Sequence, residues 1–172
     1  MIAAESEAAR LLVEARLAGR PIGPLPAGCR PADEAAAYRV QAAAHRLLGA
    51  AGRGAQVGWK IGCTTPVMQR FLDIPSPCAG GMFEATRFRG EGALEHRRLI
   101  KPAVECEIAV RLGADLPAGA APWTQASVAP AVAACMAAIE LVDDRYADYR
   151  SLGTPTLIAD DFFHVGCVLA PE

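Results

Sequence analysis

Two glutamates in the apolar segment 104–110 constrain this chain more than any other feature. The segment, Val-Glu-Cys-Glu-Ile-Ala-Val, is rich in branched aliphatic residues and contains no helix breaker, which predicts a buried β-strand. Because side chains alternate along a strand, Glu105 and Glu107 lie on one face. Two adjacent carboxylates in an apolar strand repel each other and are costly to desolvate. The segment therefore predicts either a bound cation or a solvated sheet face that carries both charges.

A third carboxylate interrupts a second apolar run, residues 137–142. Glu140 is flanked by residues that favour burial, so its charge needs a partner. Three carboxylates converging from two strands would form an all-oxygen site, which suits Mg²⁺ or Mn²⁺ and leaves positions open for water or substrate. An arginine such as Arg145 could also serve as the partner of Glu140. On these residues alone, both interpretations remain open.

The overall composition narrows the class of protein. The chain has 172 residues, 52% of them hydrophobic, which is enough for about one domain with a sizeable core. A net charge of −2 gives no electrostatic case for nucleic acid or an anionic membrane as a partner. The apolar runs are too broken for a membrane span, and the first residues lack the pattern of a secretory signal. We therefore expect a cytoplasmic protein.

Six cysteines occur without any C-x-x-C pair. Their spacing does not favour a zinc site, which would need closer pairs or a neighbouring histidine. We expect mostly buried, free thiols in a reducing compartment.

Hydrophobic periodicity and turn residues divide the chain into helices and strands. An amphipathic helix is predicted over 3–18, a second helix over 32–48, and a glycine-rich linker over 50–55. From residue 56 onward the character changes. Strands are predicted over 56–62, from 104 to Gly113, over 137–142 and over 166–169, with a loop over 74–81 and an alanine-rich helix over 125–135.

Lys60 lies in a predicted strand between Trp59 and Ile61. A buried lysine has its pKa changed by desolvation and by nearby carboxylates, and it can serve as an acid, a base or an anion clamp. The alternative is a lysine whose stem packs on the sheet while its head group reaches solvent.

Two further segments carry polar groups that could contact a substrate. The segment Cys-Ala-Gly-Gly at 78–81 offers backbone N–H groups to an anion, although it lacks the spacing of a phosphate loop. Asp160 and Asp161 follow an apolar run and are either site residues or an N-cap and a solvated turn. A histidine beside aromatic residues is more often structural than catalytic, so we interpret His164 as structural.

Taken in order, several of these segments resemble one family. They are Tyr-Arg-Val-Gln at 38–41, Val-Gly-Trp-Lys-Ile-Gly at 57–62, Glu-Cys-Glu at 105–107, Ile-Glu-Leu-Val-Asp-Asp-Arg at 139–145 and Leu-Ile-Ala-Asp-Asp at 157–161. Each motif alone is weak, but the combination is specific. The sequence is similar to the fumarylacetoacetate hydrolase superfamily, and within it to the 2-keto-4-pentenoate hydratase / 4-oxalocrotonate decarboxylase group.

The resemblance implies a fold, a cofactor and a set of site residues. The fold would be α+β, with N-terminal helices (residues 1–53) packed on a mixed, rolled β-sandwich that forms the metal-binding catalytic region (54–172). The substrate would be a small 2-oxo acid or its enol, and the protein would be a homo-oligomer. The implied site residues are Glu105, Glu107 and Glu140 as ligands of Mg²⁺ or Mn²⁺, Lys60 and Asp161 as catalytic residues, and Cys78, Gly80, Gly81 and Asp160 as substrate contacts.

The resemblance implies hydration of a 2-hydroxy-2,4-dienoate to a 4-hydroxy-2-oxo acid in aromatic meta-cleavage catabolism. Decarboxylation of a 4-oxalocrotonate-type acid or C–C hydrolysis of an acylpyruvate at the same metal are the near alternatives. The chain departs from the family at three places. C-terminal strands of the family fold are expected to be missing, Cys78 stands where the group often has Asp, and Asp161-Phe162-Phe163 stands where it has Asn-x-Ser. A non-catalytic remnant or partner subunit is the alternative of another class.

Overall fold

Two helices form the N-terminal layer of the computed structural model, which describes residues 2–171. Helix α1 spans Ala3–Leu17 and helix α2 spans Glu34–Leu48, close to the predicted bounds. Asp33 caps α2, since its carboxylate accepts a hydrogen bond of 2.7 Å from the Ala36 amide. The α2 helix continues into a π-helical turn, Gly49–Arg53, where the linker was predicted.

The strands form two sheets that pair almost entirely antiparallel. Strand β1 (Gln56–Gly62) pairs with β2 (Cys78–Phe83) in a two-stranded sheet. The second sheet has the order β3-β6-β5-β4, with a parallel pair between β3 and β6 and antiparallel pairs elsewhere. Its strands are β3 (Arg87–Arg89), β4 (Pro102–Leu112), β5 (Val132–Asp143) and β6 (His164–Leu169). Three short helices join them: α3 (Pro66–Leu72), α4 (Gln125–Val128) and α5 (Thr154–Ala159).

One hydrophobic core joins the helical layer to the rest of the chain. It contains Leu12 of α1, Val40 of α2, Phe83 at the end of β2 and Leu157 of α5. Gln41 of α2 adds polar links, since its side-chain amide donates to the carbonyls of Ala79 and Ile158, both at 2.8 Å. The predicted α+β class with N-terminal helices and a mixed sheet is confirmed, whereas the rolled sandwich stays a prediction. The described helices are too short or too polar to cross a bilayer.

The predicted helix over 125–135 is wrong. Only Gln125–Val128 is α-helical, a 3₁₀ turn covers Ala129–Ala131, and β5 begins at Val132. Pro130 cannot continue an α-helix because it lacks an N–H and clashes with the preceding turn. The alanines after it gain ladder hydrogen bonds with β4 instead, so the tertiary pairing overrides the strong helix propensity of alanine.

Two other predictions about strands need correction. The loop predicted over 74–81 contains the start of β2, where Gly80 pairs with Lys60 of β1. Strand β4, predicted to be buried, is exposed: Val104 is 65% and Ile108 is 77% exposed. The strand lies at the edge of its sheet, with β5 as its neighbour, and most of its residues are exposed within the described chain.

A buried carboxylate ties the helices to the sheets. Asp161 contacts His45 Nε2 of α2 at 2.7 Å and the Gly81 amide of β2 at 2.9 Å through Oδ1. Its Oδ2 accepts from Arg16 Nη1 of α1 at 3.0 Å. Arg16 Nη2 also donates to the His164 carbonyl at 2.7 Å. Burial raises the pKa of Asp161, but the His45 hydrogen bond and the Arg16 charge outweigh it and hold the pKa well below its ordinary value.

The backbone around this carboxylate is left-handed at three consecutive residues. The φ angles are +59° at Asp161, +41° at Phe162 and +51° at Phe163. Such conformations cost about 1–3 kcal/mol each for non-glycine residues, so the surrounding contacts must compensate for them. We infer that the Asp161 contacts hold this turn and thereby set where β6 begins.

Replacing Asp161 by asparagine should destabilise the fold strongly near neutral pH. Loss of one partner of a buried ion pair typically costs about 3–5 kcal/mol, because the other charge is left buried. A depressed native pKa gives stability that is present above the unfolded-state value, about 3.9, and is lost as the pH falls toward the native value. The cost of Asp161→Asn in urea unfolding should therefore shrink below about pH 4.

Asp115→Asn is the matched control, because Asp115 lies exposed in the loop after β4. Its cost should stay within about 0.5 kcal/mol, as for most surface substitutions. Equal stability of the two variants near neutral pH would contradict the anchoring role of Asp161.

Candidate active site

Three carboxylates converge on one face of the four-stranded sheet. Glu105 of β4 pairs directly with Glu140 of β5 across the antiparallel ladder, and Glu107 follows two residues further on the same face. Ligand oxygens of the three side chains all lie within 4.8 Å of one another. Glu140 is 7% exposed, whereas Glu105 and Glu107 are open to solvent. We call this group the glutamate cluster.

The electrostatics of the glutamate cluster favour a cation. Burial raises the pKa of the Glu105 carboxyl, and the Glu140 and Glu107 charges raise it further, against the opposite effect of Lys60. Neither Glu105 nor Glu107 accepts a side-chain hydrogen bond within residues 2–171. Three oxygen ligands of like charge, two of them without side-chain hydrogen bonds in the described residues, match the donor set of a hard divalent cation. The residues present therefore fit Mg²⁺ or Mn²⁺.

Glu140 has a histidine as its hydrogen-bond partner. His164 Nδ1 lies 2.7 Å from Glu140 Oε1, and both side chains are buried. Arg145, the alternative partner considered above, instead binds Asp160, with Nε 2.7 Å from Oδ2. The arginine interpretation of Glu140 is therefore wrong.

His164 is held in the neutral form by its surroundings. Burial lowers its pKa and outweighs the hydrogen bond to Glu140. In that form Nδ1 carries the proton that it donates to Glu140, which leaves Nε2 as a buried atom without a partner in the described chain. His164 thus orients Glu140, a role that the sequence did not indicate.

Lys60 lies beside the glutamate cluster. Its Nζ is 3.8 Å from Glu140 Oε1 and 5.5 Å from the centroid of the Phe162 ring. The side chain is 13% exposed, so the alternative of a solvated head group is wrong. The strand pairing of Lys60 with Gly80 turns the lysine toward the 161–163 turn.

Asp160 and Asp161 are buried carboxylates that are bonded within the fold. Asp160 Oδ2 accepts from Arg145 Nε at 2.7 Å and from the Tyr146 hydroxyl at 2.9 Å. Asp161 has both oxygens engaged by Arg16, His45 and the Gly81 amide, as described above. Both carboxylates are buried and bonded within the fold, which favours a positioning role for each. The catalytic role expected of Asp161 and the substrate contact expected of Asp160 stay predictions.

Two amides of the Cys78–Gly81 segment are bonded within the fold. The Ala79 amide donates to the Tyr38 hydroxyl at 3.0 Å, and the Gly81 amide donates to Asp161. The Cα atoms of the two glycines face neighbours closely: a Cβ on Gly80 would lie 3.2 Å from Asp161, and one on Gly81 would lie 2.5 Å from the His45 ring. These glycines are required for close packing, and their expected role as substrate contacts stays a prediction.

Cys78 is a neutral thiol in this structure. It is buried, and burial together with the neighbouring Cys63 thiol raises the pKa of Cys78 to about 12. All six cysteines are free. Cys106 of β4 and Cys135 of β5 are exposed on the four-stranded sheet, so the prediction of burial does not hold for them.

Two residues around the site, Arg16 and His45, were missed by sequence reasoning, and a third, His164, was interpreted as structural without its contact to Glu140. Arg16 and His45 lie on helices whose periodicity shows only which face is apolar. One signal was available, because the Asp161-Phe162-Phe163 departure from the family motif marks the turn at which all three meet.

Comparison with known proteins identifies the relatives of the chain. It is 38% identical over 144 residues to the 2-keto-4-pentenoate hydratase of Burkholderia vietnamiensis, which covers 84% of this chain and 53% of that protein. It is 38% identical to 2-keto-4-pentenoate hydratase 2 of Dechloromonas aromatica, covering 86% of this chain and 55% of that protein. It is 31% identical to a 4-oxalocrotonate decarboxylase of Pseudomonas, and this match covers 80% of this chain and 53% of that protein. No family model matches the sequence.

Structural comparison identifies a solved structure with the same fold. The 4-oxalocrotonate decarboxylase of Pseudomonas putida G7, solved with magnesium and adipate, superposes with a TM-score of 0.84 at 23% identity. The match covers 96% of this chain and 61% of that one, and it shows a shared fold.

The chain spans about half the length of the curated relatives that it matches. The resemblance seen in its motifs is confirmed: the chain is a homologue of the 2-keto-4-pentenoate hydratases and 4-oxalocrotonate decarboxylases.

Proposed function

We propose that the protein is a divalent-metal-dependent hydratase that adds water to a 2-hydroxy-2,4-dienoate and yields a 4-hydroxy-2-oxo acid. The observation that carries this proposal is the convergence of Glu105, Glu107 and Glu140 with Lys60 beside them. Relatives that are 34–38% identical are named 2-keto-4-pentenoate hydratase, which supports the same reaction class. Mg²⁺ or Mn²⁺ is the proposed cofactor, and a small 2-oxo acid or its enol is the proposed substrate.

The glutamate cluster would hold the metal. When bound there, the cation supplies Lewis acidity to the oxygen atoms of a 2-oxo acid. His164 keeps the Glu140 carboxylate in place through the Nδ1 hydrogen bond to Oε1. Within residues 2–171, the oxygens of Glu105 and Glu107 accept no side-chain hydrogen bond, which leaves them available to a cation.

Lys60 is the group placed to move a proton. Its Nζ carries exchangeable protons 3.8 Å from Glu140 Oε1, at the edge of the glutamate cluster. The Phe162 ring covers the lysine on one side and shields it from water. Nζ would deliver a proton to the terminal carbon of the dienol, and the proton lost from the enol hydroxyl would restore the lysine, which gives the 2-oxo-3-enoic acid. Water would then add across the remaining double bond, with its hydroxyl on C4 and its proton on C3, to give the 4-hydroxy-2-oxo acid. Asp161 acts as a positioning residue in this proposal, because its oxygens hold Arg16 and His45.

A decarboxylase acting at the same cluster is the second candidate, favoured by the relative named 4-oxalocrotonate decarboxylase. C–C hydrolysis of an acylpyruvate at the same cluster is a third candidate reaction. Product analysis separates the three reactions, since they give a 4-hydroxy-2-oxo acid, CO₂ or two fragments. A chain that binds metal without converting any of these acids would be the non-catalytic protein considered above.

A homo-oligomer and a cytoplasmic location stay predictions from the family resemblance and the composition. The sheet face that carries Val104, Ile108 and Ile139 is apolar and exposed, and it offers a surface for self-association.

Metal binding should stabilise the 172-residue chain, and the glutamate cluster should be required. A ligand held only by the native state at a hundred times its dissociation constant adds about 2.7 kcal/mol. Thermal unfolding of the wild type should therefore shift upward with Mg²⁺ or Mn²⁺, and Glu107→Gln should abolish the shift. Glu91→Gln, at an exposed loop position, should keep it. An equal shift in both variants would rule out the glutamate cluster as the metal site.

Lys60→Met should lower turnover by about 10²- to 10⁴-fold, the usual contribution of one general acid or base. Decay of the conjugated enol absorbance of 2-hydroxypenta-2,4-dienoate measures the reaction. Lys101→Met changes the other lysine of the chain, which pairs with Asp144, and should leave the rate near that of the wild type. If Lys60→Met keeps full activity while metal still raises the unfolding temperature, the metal site stands and the proton role of Lys60 is wrong.

A further inference from the structure

A second cavity lies away from the glutamate cluster, between the end of α1, the loop 93–100 and the end of β5. Its volume is about 300 Å³. Five arginines line it, and we call it the arginine cavity: Arg16, Arg20, Arg53, Arg98 and Arg145. The hydratase proposal uses none of its volume.

Two of these arginines are held in place by ion pairs within the fold. Arg145 is buried and binds Asp160, and Arg16 binds Asp161 and the His164 carbonyl. These guanidinium groups are already oriented by the fold, so they can face a ligand without a loss of side-chain freedom. The acidic partners, Asp160 and Asp161, are not among the residues that line the cavity.

Arg53 differs because it has no acidic partner. In the part of the chain that the structure describes, its guanidinium forms neither an ion pair nor a hydrogen bond. It is half-buried, and burial lowers its pKa, which the charges of Arg16, Arg145 and Arg98 lower further. Three other cations around a partly desolvated guanidinium create a positive potential that an anion would relieve.

The two acids in the cavity wall are engaged elsewhere. Asp143 accepts hydrogen bonds from the amides of Ile100 and Lys101, at 2.9 Å and 2.6 Å. Glu95 pairs with Arg98 at 2.5 Å. Neither carboxylate approaches Arg53 within ion-pair distance, so the charge of Arg53 is left for a ligand.

The remaining wall is aliphatic. Leu94, Leu99, Ile100 and Val165 line the cavity beside the arginines. An inorganic anion would use only the guanidinium groups, whereas a molecule with a carboxylate and an apolar body would use both parts of the wall. The volume lies at the lower end of the range of small-molecule sites, roughly 300–1,000 Å³.

We propose that the arginine cavity is a binding site for a small organic acid. Arg53 and Arg16 hold its carboxylate, and its apolar body lies against Leu94, Leu99 and Val165. The planar guanidinium of Arg53 supplies the charge-assisted, forked hydrogen bonds that carboxylates accept. The site is separate from the glutamate cluster and needs no metal.

Benzoate is the probe, because it joins one carboxylate to an apolar ring. It is titrated calorimetrically into the 172-residue chain in the presence of EDTA, so that no divalent metal can bind a carboxylate at the glutamate cluster. Benzoate should bind, and Arg53→Met should weaken it by about ten- to a hundredfold, as expected for a lost hydrogen bond to a charged group. Arg70→Met, which removes an exposed arginine of α3, should leave the affinity unchanged.

Three further measurements separate the outcomes. Glu107→Gln should bind benzoate as the wild type does; a loss there would place the probe at the glutamate cluster and overturn the proposal. Benzyl alcohol and inorganic phosphate should each bind at least about tenfold more weakly than benzoate, and equal binding of phosphate would overturn the apolar part of the site.

A spectroscopic readout covers the case in which Arg53→Met does not fold. In the wild type, the Arg53 Nε–H resonance should shift on addition of benzoate while that of Arg70 stays in place. Saturable binding of benzoate without any shift at Arg53 would contradict the proposal.

Discussion

The structure depends on the buried carboxylate of Asp161. A buried charge persists only when its partners replace the hydrogen bonds that water would have made. Asp161 obtains these partners from three separate elements: Arg16 on α1, His45 on α2 and the Gly81 amide on β2. The same residue begins the left-handed turn that leads into β6. One side chain thus fixes both helices, the two-stranded sheet and the start of a central strand relative to one another.

The contacts of Asp161 also help to position the glutamate cluster, but they fix only one of its three glutamates. Arg16 holds the His164 carbonyl, and the His164 ring holds Glu140, so Glu140 is fixed from the core side. Glu105 and Glu107 depend instead on the ladder between β4 and β5, since β4 is an exposed edge strand. A metal site needs its ligands within a few tenths of an ångström of their productive positions. The cluster therefore combines one rigid ligand with two adaptable ones, which a bound cation would draw together.

The sequence predicted the parts of the site that local periodicity controls. Alternation along a strand fixes that Glu105 and Glu107 share a face, and the apolar run around Glu140 indicates that it needs a partner. The pairing of Glu105 with Glu140, by contrast, is a register between distant strands, which single-strand patterns leave open. The alanine-rich segment after Gln125 was misassigned because alanine packs acceptably in either structure, so the tertiary ladder decides. Asp161 carried the right types of atom for catalysis, and only the positions of its partners revealed an anchor.

The arginines illustrate the same limit. The chain has 15 arginines, given 17 basic residues of which two are lysines, and no pattern along it separates those with structural partners from those without. In the fold, Arg145 pairs with Asp160 and Arg16 pairs with Asp161. These ion pairs fix the orientation of both guanidinium groups. Arg53 ends a π-helical turn that places it near these two charges, and it forms no ion pair within residues 2–171. Repulsion between the Arg53 guanidinium and these two charges opposes folding. Solvent only screens this repulsion, whereas a carboxylate bound between the guanidinium groups would offset it. The unpaired cation, more than the volume of the cavity, is therefore the reason to expect an anion there.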